Sequence, residues 1–279
     1  KGGFASVSDS SILRAMNGVI KDTAVDLFLG KGGAIAVSEK SQLEMTNVQM
    51  LSHRGLIAQT TQKGYCSALQ CYSALQGGAI YASGVGTEIN LNQVNINGYV
   101  VEPEEGVGGG IYTSASAKLI MVASTIQNCN ATTGAAIYAG AESVVHVGAG
   151  STIEQCRAMF EAGGIYITRA DVYIEGATLQ NNYCEGDGGS TYVDAGSTLN
   201  VTASTIIRNV AARGGGVFIG RQSVFAASDS TISHNNALED GGGVAGEDNY
   251  RQPFQLRRVV FEQNEALDGM GGAMHLNRT

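Results

Sequence analysis

The sequence predicts an all-β chain wound as a right-handed, single-stranded parallel β-helix of about nine to ten coils. Three observations predict it. A glycine-rich phrase recurs along the chain. A second phrase, an apolar residue followed three positions later by Asn or Cys, lies between its copies. The short runs around both alternate apolar and polar residues, the period of a strand.

The first phrase reads GGAI at Gly32 and Gly77, GGGI at Gly108, GAAI at Gly134, AGGI at Ala162, GGST at Gly188, GGGV at Gly214 and Gly241, and GGAM at Gly271. The steps between copies are 45, 31, 26, 28, 26, 26, 27 and 30 residues. Leucine-rich repeats share this period, but their Leu/Asn frame is missing. Helix pairs would not tolerate paired glycines. Propeller blades are longer, and the chain has no Trp. The chain contains 39 Gly, and tight turning with close approach of neighbouring coils explains them.

Alternation around Ile165-Tyr166-Ile167 sets the first strand of each coil. One inward column is Ile35, Ile80, Ile111, Ile137, Ile165, Thr191, Val217, Val244 and Met274; the next runs from Val37 to Leu276. A second strand points inward with pairs such as Leu199/Val201 and Phe254/Leu256. A third buries Ile126, Ile153, Leu179, Ile206, Ile232 and Phe261, with Ile96 and Met50 extending the column into the early coils. The expected domain is one β-helix over 1–279, a piece of a longer solenoid, with an insertion loop at 54–76. Residues 11–29 read either as another coil or as a short helical excursion.

Three positions after the third inward residue stand Cys129, Cys156, Asn182, Asn209, Asn235 and Asn264, read as a turn ladder, because Asn tolerates the left-handed region and bonds locally. Two positions further is a small-residue column, Ala131, Ala158, Cys184, Ala211, Ala237 and Ala266. Cys129 and Cys156 share a position in successive coils, so a disulfide between coils is expected beside the alternative of two stacked thiols. Cys66 and Cys71, in the insertion, either pair with each other or stay reduced. Asn130-Ala131-Thr132 and Asn200-Val201-Thr202 match the N-glycosylation pattern, Asn130 being placed in a turn and Asn200 on an outward strand position.

Candidate sites come from the outward columns. Tyr81, Tyr112, Tyr138, Tyr166, Tyr192 and Phe218 fall one per coil and form an expected aromatic contact stripe for a protein or glycan, or a stack that only shields itself. Acids recur before the glycine run: Glu104/Glu105, Glu161, Glu185/Asp187, Glu239/Asp240 and Asp268, with Arg213 interrupting the row. They read as a solvated edge rather than a cation strip. The histidines, His53, His146, His234 and His275, show no metal-ligand spacing. Catalytic candidates such as Asp171, Glu175, Arg208 and Asp229 fall in columns that show no obvious convergence. No catalytic residue, metal or cofactor is therefore assigned. The formal charge of -8 with no long basic run argues against nucleic acid, and no apolar run is long enough to span a membrane.

The paired phrases resemble the repeats of chlamydial polymorphic outer membrane proteins, within the wider pectate-lyase-like β-helix superfamily. The pair is clearest as Phe261-Glu262-Gln263-Asn264 followed by Gly271-Gly272-Ala273-Met274, and in a Phe-less form as Ile206-Ile207-Arg208-Asn209 followed by Gly214-Gly215-Gly216-Val217. Algal and protist surface proteins carry similar phrases. In the bacterial family such repeats form a surface-exposed passenger involved in adhesion. The resemblance, over about residues 30–276, implies a scaffold or adhesin role and no set of functional residues. The expected function is a non-catalytic structural or adhesive segment of a secreted or cell-surface protein, contacting other chains of an assembly or glycans. The alternatives are a β-helix polysaccharide lyase or hydrolase, and a glycan-binding module without chemistry.

Overall fold

A computed structural model describes residues 5–21, 34–52, 76–101, 106–194, 196–247 and 254–277. The described chain is a parallel β-solenoid whose successive coils stack in register. One coil shows the plan. Ile165–Ile167, Asp171–Glu175, Thr178–Gln180 and Tyr183–Cys184 are its four strands. The first strands of all coils make sheet 1, ten strands from Ala5–Val7 to Met274–Asn277. The second and third make the sixteen-stranded sheet 2, and the fourth make the six-stranded sheet 3.

The fourth strand is the element that alternation does not reveal. Segments such as Tyr183–Cys184 and Val210–Ala211 are two residues long, too short to show a period. They exist because the coil above and the coil below present matching edges.

Left-handed residues make the corners. Within the regular coils they fall at the first glycine of the run (Gly188, φ 74°), after the first strand (Arg169, φ 50°), between the second and third strands (Ala203, φ 49°) and after the third (Asn181, φ 54°). Each non-glycine corner costs on the order of 1–2 kcal/mol, offset by the stacking it permits. In the first two coils the second and third strands run on as Ile12–Lys21 and Gln42–Leu51. Their corners are Asn17 and Asn47, and the Asn47 amide donates to the Asn17 Oδ1 at 2.9 Å. The coil reading of this region therefore holds over Ile12–Lys21; residues 22–29 lie outside the described residues.

The core is a stack of columns, as alternation predicts. Ile137 pairs with Ile111 and Ile165, and Ile126 pairs with Ile96 and Ile153. Ile20, Met50 and Ile96 share one column. These side chains are almost fully buried, and each buried Ile or Leu contributes about 1.5–3 kcal/mol of transfer free energy.

Two glycines of one phrase show why the repeat needs them. Gly214 sits at φ 61°. Gly215 faces its neighbour coil so closely that a Cβ would lie 2.3 Å from the Asn236 carbonyl oxygen.

The asparagine column differs from the expectation. The left-handed residue is the one before it: Asn181, Arg208, His234 and Gln263. Asn182, Asn209 and Asn235 instead point inward and are buried. Asn209 Nδ2 donates to Asn235 Oδ1 at 2.9 Å and to the Leu179 carbonyl at 3.1 Å. Asn209 Oδ1 accepts the Asn182 backbone N–H at 3.0 Å and its Nδ2 at 3.1 Å. Asn235 and Asn264 repeat the pattern. A buried amide thus continues the backbone ladder through the interior, satisfying polar groups that would otherwise be orphaned. A serine column does similar work at another corner: Ser230 Oγ accepts the Ser204 N–H at 3.1 Å, and Ser204 Oγ accepts the Ala177 N–H at 3.2 Å.

The expected disulfide between Cys129 and Cys156 does not form. Both are buried thiols. Register pairing puts their Cα atoms one strand spacing apart, but parallel neighbours also carry parallel Cβ vectors. The Cβ atoms then stay near 4.8 Å apart, beyond the roughly 3.5–4.5 Å a disulfide requires. The thiols point instead at carbonyls, Cys129 Sγ at Gln127 O (3.4 Å) and Cys156 Sγ at Glu154 O (3.3 Å). They occupy the first two slots of the asparagine column, and the Cys156 N–H donates to Asn182 Oδ1 at 3.1 Å. Cys184 fills the small-residue column as expected, and burial pushes its thiol up to about 12. Alkylation at neutral pH is therefore expected to leave Cys129, Cys156 and Cys184 unlabelled in the folded chain and to label all three on denaturation without reductant. Mass mapping checks this; a Cys129–Cys156 cross-linked peptide would overturn it. Cys66, Cys71 and the 54–75 part of the insertion lie outside the described residues.

Candidate functional site

The aromatic column is a continuous stack on the outer face of sheet 1. Successive ring centroids from Tyr81 to Phe218 lie 5.2, 5.1, 5.1, 5.4 and 4.9 Å apart, with interplanar angles of 24° or less. In-register strands hold the rings at this separation without any further device. The ring faces are consequently turned on each other, and solvent meets ring edges and hydroxyls.

Exposure is less than alternation implies. Tyr81 (7%) and Phe218 (1%) are buried, and Tyr112, Tyr138, Tyr166 and Tyr192 are half-buried. The stripe open to a partner is thus four tyrosines, not six aromatics. Arg213 closes one end, its guanidinium carbon 4.7 Å from the Phe218 ring centroid.

Acids gather along the same face. Asp194 Oδ2 accepts hydrogen bonds from the Tyr166 hydroxyl and from Thr168 Oγ1, each at 3.1 Å. Burial, followed by Asp194, raises the phenol pKa of Tyr166 and of Tyr192. Burial and then Tyr112 raise that of Tyr138. Glu161 accepts from Thr133 Oγ1 at 2.8 Å, yet burial keeps its carboxyl above the ordinary range, with Asp187 and Asp194 acting the same way. Arg213 binds Asp187 through Nε (3.0 Å) and Nη2 (2.6 Å) and reaches Glu247 through Nη1 (2.8 Å). These two carboxylates hold the guanidinium well above its usual range.

Asp194 and Glu247 are the residues that sequence reasoning missed. The signal was present: each stands two positions after a stripe position, Tyr192 and Ala245, and alternation returns such a residue to the same face.

The acids before the glycine run form paired contacts across coils. Glu185 meets Arg157 at 2.7 Å, and Asp240 accepts the Met270 N–H at 2.7 Å. No group of acids, histidines and cysteines among the described residues is arranged to hold a metal ion. Glu104 and Glu105 lie outside the described residues, as does His53. His146 stacks on Tyr173 at 4.8 Å, and His275 lies 3.8 Å from Asp240.

The four weighed catalytic candidates stay apart in role and place. Asp171 and Glu175 end one strand of sheet 2, both exposed. Asp229 is a corner residue held by Arg258, and Arg208 is a corner of the next bend. Asn130 does not sit in a turn: it begins the strand Asn130–Thr133 and pairs with Arg157. Asn200 is mid-strand on the outer face of sheet 2, as expected.

The family model described as the right-handed beta helix region matches residues 109–279. The chain belongs to the right-handed β-helix family. For this β-helix chain no curated protein matches, and no solved structure matches. The matched description agrees with the parallel solenoid observed and gives its hand as right. No helix among the described residues is long and apolar enough to cross a membrane.

Proposed function

We propose that the chain is a non-catalytic structural or adhesive segment of a secreted or cell-surface protein, presenting the tyrosine face of sheet 1 to a neighbouring protein or a glycan. The observation that carries the reading is the stack itself. Tyr112, Tyr138, Tyr166 and Tyr192 place half-exposed edges in one line over four successive coils, at the strand spacing. A row of that kind matches an extended partner better than a small ligand. The similarity to repeats of bacterial surface passengers and protist surface proteins supports the same placement.

The test replaces Tyr138, Tyr166 and Tyr192 by Ala together and measures binding to candidate partner chains and to a glycan array. Binding is expected to fall at least tenfold while the circular dichroism spectrum keeps its β signature. Undiminished binding by a folded triple variant would sink the stripe as the contact face.

One observation favours a second reading, a polysaccharide lyase or hydrolase: Glu161, Asp187, Asp194, Arg213 and Glu247 all border the stripe. Against it, Arg213 is already engaged by two carboxylates rather than set for a substrate anion. Incubation with acidic and neutral polysaccharides, followed by assay of unsaturated and reducing ends, separates the readings. Turnover lost on Asp194→Asn would favour the enzyme.

A further inference from the structure

We propose that Asn200 is an N-glycosylation site whose first sugars lie in a groove on the outer face of sheet 2. The inference rests on the secreted or surface reading above, because the acceptor must meet its donor in a secretory compartment. The reaction joins Asn200 Nδ2 to C1 of an oligosaccharide carried on a polyprenyl diphosphate. The C1–O bond to the diphosphate breaks, the N–C1 bond forms, the amide gives up one proton, and the polyprenyl diphosphate leaves.

The strand Thr198–Thr202 supplies the geometry. Leu199 and Val201 enter the core, so Asn200 and Thr202 face outward, and Thr202 is exposed. The backbone is paired to Asp171–Glu175 on one side and Val224–Ser228 on the other. A glycan on the side chain therefore disturbs no ladder bond. The next residue in the column is Ala226, which has no atoms beyond Cβ to fill the space beside Asn200. A groove opens there, lined by Asn200, Thr202, Ala226, Ser228, Gln255 and Arg257. Gln255 continues the outward column beyond Ala226, and Arg257 continues that of Thr202 and Ser228, so polar side chains edge the groove. Hydroxyls and amides on the walls match the hydroxyls of the sugar edge.

Asn130 is placed differently. Its Thr132 is buried, with the backbone N–H donated to Gly106 O at 2.8 Å, so the acceptor motif is accessible only before the coil forms. A third match, Asn277-Arg278-Thr279, runs past the described residues.

The experiment maps glycans on the protein from its native source and on the chain secreted by cultured eukaryotic cells behind a cleavable leader. Enzymatic release in heavy-oxygen water marks each occupied Asn as labelled Asp. Asn200 is expected to be labelled in most molecules, and both Asn200→Gln and Thr202→Ala are expected to lose the same glycan mass. The second variant keeps the asparagine, which separates loss of the motif from loss of the side chain. Secreted or native surface protein with Asn200 unlabelled overturns the site and leaves the scaffold reading standing, whether or not Asn130 is labelled. Native protein confined to the cytosol and bare of sugar overturns both.

Discussion

Replacing Asn209 by Ala is expected to destabilise the solenoid by about 3–5 kcal/mol. The side chain makes four buried hydrogen bonds: to Leu179 O, to Asn235 Oδ1, and from the Asn182 N–H and Nδ2. Truncation leaves the Asn182 N–H without its acceptor in a dry interior, at about 1–3 kcal/mol, and removes three further buried bonds worth about 0.5–1.5 kcal/mol each. Asn181, one residue earlier, is exposed and does a different job, holding the left-handed corner at φ 54°. Asn181→Ala should cost only about 1 kcal/mol, the penalty of that conformation for a residue with a Cβ. Urea unfolding of the two variants, followed by circular dichroism, makes the comparison. Equal losses would mean that the amide column is not the interior support described above. Because a solenoid coil contacts only its neighbours, the Asn209 variant should also open locally, with hydrogen exchange accelerating first around residues 179–212.

Gly215→Ala is expected to have a comparable effect for an opposite reason, overcrowding instead of lost bonds. Its Cβ would lie 2.3 Å from Asn236 O and 2.6 Å from Gly242 O, both backbone atoms of the following coil. Rotamer changes cannot relieve a clash with backbone, so the coils must spread or tilt and strain the in-register pairing of Val217 with Val244. A cost of about 3 kcal/mol is the scale for overpacking of this kind. Gly196 provides the control. It has φ 76°, but a methyl added there would meet nothing within 4 Å, so Gly196→Ala should lose only about 1 kcal/mol. Thermal unfolding would distinguish them, and a Gly215 variant as stable as the Gly196 variant would contradict the close approach of coils as the reason for the repeat.

Both predictions concern architecture, and architecture bears on the functional proposal. The tyrosine face is only as straight as the coils behind it. The third glycine of a phrase packs against the amide column: a Cβ on Gly216 would meet Asn235 Cγ and Nδ2 at 3.3 Å. The glycine run thus couples the asparagine ladder to sheet 1, where the rings stack. A partner that binds along Tyr112–Tyr192 reads a spacing set by this coupling.

The repeat period, the inward columns and the aromatic column were legible from the residues alone, because each depends on local alternation repeated coil after coil. Ile126, Ile153, Leu179 and Ile206 announce a buried column whatever surrounds them. The positions of Asp194 and Glu247 beside the stripe were legible in principle by the same rule. Three matters were not. Alternation says that Tyr81 and Phe218 point outward, yet whether outward means exposed depends on what else covers that face, here Arg213 over Phe218. Cys129 and Cys156 share a column, yet bonding depends on the direction of their Cβ atoms, which parallel stacking keeps parallel. The Asn column was assigned to the turn because Asn favours left-handed backbone, while the turn residue is its neighbour and the amide faces inward. Periodicity along one chain fixes which residues meet; the side-chain vectors and the covering groups come from coils packed above and beside them, and those decide exposure, bonding and burial.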